Sequence, residues 1–271
     1  MNTHHDTPGA FPIAQADVIA GIVKGMAVLE SFDTERQRLN ATLAAQRAGI
    51  TRAAARRHLL TLASLGYLET DGSYFWLASK VLRFSGTYLS SARFPRVVQP
   101  TLNRLAAQTQ ESFSAVVLDG SEVVIVARSG NDWRSSPAGK AQVLAYGLHL
   151  GARLPAHATS TGRVLLAGLS DAALQQWLLD HPLRRLTAHT VTDAAVLTEQ
   201  IAIARREDFS FANQEHELGV QALAVPLRNA RGALVGALNV VTAPHRWRAG
   251  EFSTALLPVL QDAAQELRAL L

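Results

Sequence analysis

Apolar residues recur at helical spacing in the first quarter of the chain. Residues 17–32 carry them three or four positions apart, which predicts a helix with Asp17 as its N-cap. A short helix is predicted over residues 42–48, and a third helix, capped by Thr51, over residues 51–65. The apolar positions are Val18, Ile22, Met26 and Leu29 in the first helix and Ala55, Leu59, Leu62 and Leu65 in the third.

After residue 66 the pattern becomes that of strands. Residues 67–70 and 73–77 are rich in aromatic and other strand-forming residues and flank Asp71-Gly72. Asp-Gly between two such runs predicts a hairpin with a two-residue type I′ turn. A helix, a short helix, a three-residue turn, a helix and a hairpin succeed one another in the order of a winged helix-turn-helix.

The rest of the chain mixes helices and strands. We predict helices over residues 79–93, 96–109, 159–167, 171–179, 193–206 and 250–271, and strands over 114–118, 122–127, 142–149, 209–213, 221–227 and 233–241. Phe94-Pro95 separates the first two of these helices, and we place the domain boundary there. This mixed order indicates an α+β domain in which helices pack on an antiparallel sheet.

The predicted organisation has four parts. Residues 1–16 form a flexible tail, and residues 17–78 form the winged helix-turn-helix domain. Within it the helix-turn-helix spans about residues 41–65 and the wing spans residues 67–77. Residues 79–94 are a linker helix, and residues 95–271 form the second, α+β domain.

Basic residues are concentrated in the first of these domains. The 271 residues have a net charge of +4, and residues 36–68 contain six arginines and no acidic residue. Such a segment favours a polyanion as partner, and an ordinary solvated face is the alternative. The six are Arg36, Arg38, Arg47, Arg52, Arg56 and Arg57.

Half of these arginines lie in the first two turns of the third helix. The leading residues of a recognition helix enter the major groove, and arginine binds guanine or phosphate with two hydrogen bonds. The helix together with the hairpin therefore favours double-stranded operator DNA over a solvated face. The predicted DNA contacts are Thr51, Arg52, Ala53, Arg56 and Arg57 in the helix and Ser73 and Tyr74 in the wing.

Composition excludes several other classes of protein. The chain has no cysteine, so it has no disulfide, iron–sulfur cluster, thiolate zinc site or cysteine nucleophile. Its nine histidines show no metal-ligand spacing, and we predict no cofactor. No apolar stretch has the roughly 18 residues of a membrane span, and residues 1–16 lack the features of a signal peptide. We therefore expect a soluble, cytoplasmic protein with no membrane partner.

The segment HATSTGR, residues 157–163, is the candidate chemical motif of the second domain. Ser160 and His157 could form a nucleophile and its base, but no acid is placed to orient the histidine and no nucleophile-elbow pattern surrounds the serine. Alternatively, Ser160 and Thr161 open a helix whose free N–H groups and hydroxyls could receive a carboxylate. Arg153 and Arg163 flank the segment and add positive charge.

Four strings resemble the IclR family of bacterial transcriptional regulators. IVKGMAVLESF at 22–32 is similar to the family's first helix, and ITRAAARRHLLTLASLGYLETDG at 50–72 to its recognition helix and wing. LGARLPAHATSTGRVLLAGL at 150–169 and ELGVQALAVPLRNARGALVGALNVV at 217–241 are similar to its effector-binding domain. The TRAAARR string is the most specific and resembles the branch that includes the Pca and Pob regulators of aromatic-acid degradation. The resemblance covers nearly the whole chain from about residue 17.

The resemblance implies a fold, an assembly and a pocket. It implies a winged helix-turn-helix joined by a linker helix to a GAF-like sensor domain, in a homodimer or tetramer that binds a small carboxylate, with an aromatic acid as first candidate. The family commonly has an acidic residue at one of the positions of Ala212 and Asn213, and the loop at residues 130–140 is longer than in the branch. By residue match the pocket positions are Ser160, Thr161, Ala212, Asn213, Ala222, Asn239 and Val241, with Arg153 as a further candidate.

These observations together predict a ligand-responsive transcriptional regulator of catabolic genes, and not an enzyme. The resemblance to this branch favours activation of catabolic genes, although no residue shows whether the protein activates or represses them. The alternative is a metabolite-binding or hydrolytic domain whose basic N-terminal module binds RNA or a protein.

Overall fold

The computed structural model describes residues 13–33, 35–129, 148–248 and 250–271. Its internal contacts divide these residues into two compact units, one that ends at Tyr88 and one that begins at Leu89. The flexible tail predicted over residues 1–16 and the loop at residues 130–140 lie largely or wholly outside the described residues.

The first unit contains three helices, α1 (Ala20–Leu29), α2 (Ala41–Ala48) and α3 (Arg52–Ser64). Asn40 caps α2 by accepting hydrogen bonds from the N–H groups of Thr42 and Leu43, and Thr51 caps α3 as predicted. Asp17 does not cap α1, because it lies in a separate 3₁₀ turn, Gln15–Asp17, and no side chain caps the start of α1.

The buried face of α1 differs from the predicted one. Ile22 and Met26 are 60% and 48% exposed, whereas Val28 is fully buried. Leu65 is also exposed, although Ala55 and Leu59 of α3 are buried as expected. Because α1 has apolar residues on both faces, periodicity alone could not identify the one that packs. The core of the unit includes Val28, Leu39, Ala44, Ala55, Leu59, Leu68 and Phe75.

The wing consists of β1 (Leu68–Thr70) and β2 (Phe75–Leu77), which pair antiparallel. Thr70 is opposite Phe75, so the loop has four residues and the predicted two-residue type I′ turn was wrong. The Asp71 carboxylate accepts the N–H groups of Ser73 and Tyr74, and these hydrogen bonds hold the longer loop. Only Gly72 in it has a positive φ, of 95°.

Two helices follow the wing along the chain, α4 (Leu82–Ser91) and α5 (Arg93–Thr109). A 3₁₀ turn, Ser79–Val81, precedes α4. Phe94-Pro95 does not separate the helices as predicted, because both residues lie in the first turn of α5, where proline is tolerated.

The second unit is built on a six-stranded antiparallel sheet with the order β5-β4-β3-β8-β7-β6. This confirms the predicted α+β class. Strand β5 was not predicted, and of the strand predicted over residues 142–149 only the last two residues are described, neither of them in a strand. The strands are β3 (Ser112–Asp119), β4 (Glu122–Arg128), β5 (Arg153–Pro155), β6 (Ser210–Asn213), β7 (Gln221–Arg228) and β8 (Leu234–Thr242).

Helices cover both faces of this sheet. On one face α5 and α9 (Glu251–Arg268) pack against residues such as Leu223, Leu238 and Val240. On the other, α6, α7 and α8 pack against Val116, Ile125, Ala224 and Ala237. These helices span Ser160–Leu166, Asp171–Asp180 and Ala194–Glu207. Side chains of β7 and β8 point alternately into the two cores, and some of those on the α6 face border a cavity.

Candidate functional site

A cavity lies between the sheet and the start of α6. Its apolar walls come from β3, β4, β5, β7 and β8 and from the segment before α6, and its polar side chains come mainly from α6 and from the loop at residues 214–220. The apolar lining includes Val116, Ile125, Leu148, Leu154, Ala222 and Val241, and the polar lining includes Ser114, Ser160, Thr161, His216, Glu217 and Asn239.

A glycine allows α6 to lie close to the turn before it. A Cβ on Gly162 would lie 2.0 Å from the carbonyl oxygen of Ala156. Thr159 caps the helix by accepting the Gly162 N–H. This close packing fixes Ser160 and Thr161 at the cavity wall, and both residues are buried.

The loop at residues 214–220 is held by its own backbone and by two threonines. The Gln214 N–H donates to the Val220 carbonyl at 2.7 Å, and the Gln214 side chain accepts the Gly219 N–H at 2.9 Å. The Thr187 hydroxyl donates to the Gln214 carbonyl and the Thr190 hydroxyl to the Glu215 carbonyl. The loop therefore presents Glu215, His216 and Glu217 in a defined position.

Neither flanking arginine lines the cavity. The Arg163 side chain is 2% exposed and forms a bidentate ion pair with Glu215, whose side chain is 9% exposed. Arg153 pairs with Asp119 at 2.7 Å and Glu122 at 2.6 Å. Their charges are thus matched by carboxylates within the fold.

The structure brings most of the predicted pocket positions together. Ser160, Thr161, Ala212, Ala222, Asn239 and Val241 all line the cavity, whereas Asn213 is exposed at the end of β6 and does not. Sequence reasoning missed His216 and Glu217. The polar run QEHE at residues 214–217, between two predicted strands, was the available signal.

Three buried polar atoms at the cavity have no hydrogen-bond partner among the described residues: Ser160 Oγ, His216 Nδ1 and Asn239 Oδ1. Buried polar atoms are normally paired, so this group indicates a polar ligand. Burial lowers the pKa of both His157 and His216 and favours neutral rings. The Nε2 of His157 lies 2.9 Å from the Arg184 carbonyl, and no hydrogen bond joins the ring to Ser160 within the described chain, as a nucleophile and base would require.

The predicted DNA contacts form an exposed surface on the first unit. Thr51, Arg52, Ala53, Arg56 and Arg57 are exposed along the start of α3, and Ser73 and Tyr74 are exposed at the tip of the wing. Among the described residues, no ion pair engages the guanidinium groups of Arg52, Arg56 or Arg57. These groups are therefore free to meet phosphate or base edges.

Two of the other arginines have structural partners. Arg38 pairs with Asp71 at 2.6 Å, and its guanidinium carbon lies 4.5 Å from the centre of the Trp76 ring. Both contacts stabilise the wing. Arg47 pairs with Asp33 and donates to the Ser31 carbonyl. Backbone N–H groups of Tyr74 and Ser73, with the nearby Arg38, lower the pKa of Asp71 and keep it ionised.

Comparison with known proteins identifies the family. The model of the IclR helix-turn-helix domain matches residues 21–72, and that of the bacterial transcriptional regulator IclR C-terminal domain matches residues 86–269. The chain belongs to the IclR family of bacterial transcriptional regulators. The predictions of a regulator and not an enzyme, and of a winged helix-turn-helix followed by a sensor domain, are thereby confirmed.

Relatives within the IclR family cover almost the whole chain. The Pca operon regulatory protein of Acinetobacter baylyi is 48% identical over 98% of this chain and 94% of its own length. The p-hydroxybenzoate hydroxylase transcriptional activator of the same organism is 49% identical over 94% of this chain and 93% of its own. The predicted resemblance to this branch is confirmed.

A solved relative is similar to the second unit. The inducer-binding domain of the PobR transcription factor from Acinetobacter, solved as a double mutant in complex with 3-hydroxybenzoic acid, is 45% identical. It covers 65% of this chain and 98% of its own, with a TM-score of 0.60. Within the described residues of our structure, no helix has the length and hydropathy to cross a membrane.

Proposed function

We propose that this IclR-family protein regulates genes of aromatic-acid catabolism in the cytoplasm, and that its effector is a small aromatic carboxylate bound in the cavity at α6. The observation that carries the proposal is the cavity itself, with apolar walls and three unpartnered polar atoms. An aromatic ring fits such walls, and a carboxylate or hydroxyl group fits the polar atoms. The names of the relatives at 48–49% identity support this class of effector.

Ser160 supplies the hydrogen bond to the effector in this proposal. Its hydroxyl is buried at the cavity wall and has no partner among the described residues. Because α6 has only seven residues, its hydroxyls and the loop at residues 214–220 contribute more than a helix dipole does.

Calorimetry and mobility shifts test the proposal. The wild-type protein should bind members of a panel of benzoates more tightly than short oxo-acids, and a benzoate should alter its shift of DNA from upstream of its own gene. Ser160→Leu should lose effector binding, because it fills the cavity and removes a hydrogen bond of about 0.5–1.5 kcal/mol. DNA binding without effector should survive in the variant. Equal effector affinity in both proteins, or tight binding of uncharged compounds only, would contradict this assignment.

We also propose that the protein binds a near-palindromic operator as a homodimer or tetramer. The exposed apolar residues of α1, including Ile22, Val23 and Met26, support an interface on this helix, since such residues favour burial. Ile22→Glu should lower the mass measured by light scattering and weaken operator binding. An unchanged mass with unchanged operator affinity would contradict an α1 interface.

The linker segment is proposed to couple the effector to the DNA-binding units. Effector binding would shift the placement of the winged domains through residues 79–94, with a coupling free energy of about 1–3 kcal/mol. Because coupling is reciprocal, operator DNA should change effector affinity by the same factor, which calorimetry with and without DNA measures.

A further inference from the structure

The cavity has no arginine or lysine among its described lining residues. Arg163 is engaged by Glu215, and Arg153 lies against Asp119 and Glu122. A carboxylate that enters an apolar cavity loses its hydration and needs a cation or several donors in exchange. Within the described lining, His216 is the one residue whose side chain can become a cation.

The geometry of His216 suits this role. Its Nδ1 is buried and has no hydrogen-bond partner among the described residues, as is also true of the Ser160 hydroxyl oxygen in the same cavity. The hydrogen bonds of Gln214 and of the threonine hydroxyls hold the loop that carries the ring. The backbone that carries the imidazole is therefore held at the cavity wall without a ligand.

The charged groups around the ring have opposing effects. Burial is the largest and lowers the pKa of His216, Glu217 raises it, and His157 lowers it. Beyond His157, Arg163 and Glu215 form a matched pair whose charges oppose each other. Without ligand the ring is thus neutral at pH 7, and an arriving anion would be the main new influence on it.

We propose that His216 receives the effector carboxylate and takes up one proton from solvent as the effector binds. This inference rests on the proposed function, because it requires a carboxylate effector in this cavity. The effector arrives ionised and the imidazole neutral, one proton from the buffer adds to the free ring nitrogen, and an imidazolium–carboxylate pair results. The only covalent change is this proton transfer: an N–H bond forms on the ring and the buffer acid loses its bond to the same proton.

Proton uptake gives effector affinity a defined dependence on pH. Affinity falls as pH rises, by roughly tenfold per pH unit, between the pKa of His216 in the free protein and its higher pKa in the complex. Below the free-protein pKa the ring is already charged and affinity levels off. The regulator would therefore respond to less effector in a mildly acidified cell.

Calorimetry of the full chain with 3-hydroxybenzoate tests this proposal. Titrations at pH 7 in phosphate and in Tris, whose ionisation enthalpies differ, give the number of protons exchanged. We expect an uptake close to one proton for the wild type. His216→Gln retains a hydrogen-bonding side chain of similar reach but cannot be charged, so its uptake should fall to near zero. Its affinity should drop about tenfold and become flat with pH.

Three controls test whether His216 is the group that takes up the proton. His189→Gln, at an exposed ring outside the cavity, and His157→Gln, at the neighbouring buried ring, should both keep the uptake. Methyl 3-hydroxybenzoate, which has no carboxylate, should bind without uptake. Wild-type binding of 3-hydroxybenzoate without uptake, or uptake that persists in His216→Gln, would overturn the role of His216 and leave the proposed function intact. Failure of every benzoate to bind the wild type would overturn both.

Discussion

Arg56 and Arg57 differ from Arg47 in what their side chains contact. Both are exposed on α3 without an ion-pair partner among the described residues, whereas Arg47 pairs with Asp33 and binds the Ser31 carbonyl. An arginine kept free on a surface contributes little to stability and is available to a polyanion. The two kinds of arginine can therefore be separated by experiment.

We predict that Arg56→Ala/Arg57→Ala weakens operator binding and leaves stability unchanged. Loss of an arginine that contacts a base should cost roughly 1–3 kcal/mol of binding free energy and relax sequence specificity. Loss of one that contacts phosphate should reduce the slope of log affinity against log salt concentration by about 1. Fluorescence anisotropy at several salt concentrations measures both. Arg47→Ala is the control, since it should lower the melting temperature. Wild-type operator affinity in the double variant would refute the recognition-helix assignment.

Gly162 is the residue on which the cavity wall depends. We predict that Gly162→Ala destabilises the second unit by about 3 kcal/mol, the upper end of overpacking costs, because the new Cβ meets backbone atoms of Ala156. At Gly168 a Cβ would meet the Leu234 side chain, which can rotate away, so Gly168→Ala should cost less. Chemical denaturation compares the two, and equal costs would show that backbone contact is not the cause.

At the scale of elements, a buried carboxylate joins the start of β3 to the turn after β8. Glu111 is 1% exposed and accepts hydrogen bonds from Arg246 and Trp247. Burial raises the pKa of Glu111, and this effect outweighs the attraction of Arg246. Since the folded state then holds the proton more tightly than the unfolded chain, the contribution of Glu111 to stability rises as pH falls through its folded-state pKa.

We predict that Glu111→Gln melts higher than the wild type at pH 8 by about 2–4 °C, the equivalent of about 1 kcal/mol in a domain of this size. The difference should shrink toward pH 4, where Glu111 itself becomes protonated. Glu266→Gln, which removes an exposed partner of Arg104, should show no such gain. Melting curves from pH 4 to pH 8 measure both variants, and a melting temperature of Glu111→Gln at or below that of the wild type at pH 8 would contradict the prediction.

The helices and strands were predictable where one local rule decides them. Thr51 caps α3, and Gly120 with its positive φ turns β3 into β4. Prediction failed where contacts between residues distant in sequence determine which face is buried or whether a strand forms. Val28 is the buried residue of α1 because it packs in a core with residues of α2 and α3. Strand β5 has three residues because it pairs with the edge of β4. The wing loop is longer than predicted because the Asp71 side chain accepts hydrogen bonds within it. The Asp-Gly pair alone does not indicate these hydrogen bonds.

At the scale of the whole molecule, contacts between residues distant in sequence also limited the prediction of the cavity. Sequence matching indicated Ser160, Ala222 and Asn239, because each lies within a recognisable string. It could not indicate that Arg163 is engaged by Glu215, which is 52 residues away and reached only through the folded sheet. His216 was missed for the same reason, since its burial depends on a loop held by Thr187 and Thr190.

The two units have separate hydrophobic cores, which leads to a prediction about the isolated second unit. The boundary predicted at Phe94-Pro95 would start this fragment at residue 96. The structure favours a start at Leu89, since the Arg93 guanidinium donates to the Leu270 carbonyl and Phe94 packs on the core.

A fragment of residues 89–271 should therefore fold and bind 3-hydroxybenzoate with the affinity of the full chain. A fragment of residues 96–271 should be less stable by up to about 3 kcal/mol, because it lacks Phe94, whose ring lies so close to Gly236 that a Cβ there would be 2.4 Å from it. Urea denaturation gives the two stabilities, and calorimetry gives the affinities. If both fragments unfold at the same urea concentration, the first turn of α5 contributes nothing to the core. If the longer fragment is soluble but does not bind while the full chain does, the effector site extends beyond the second unit.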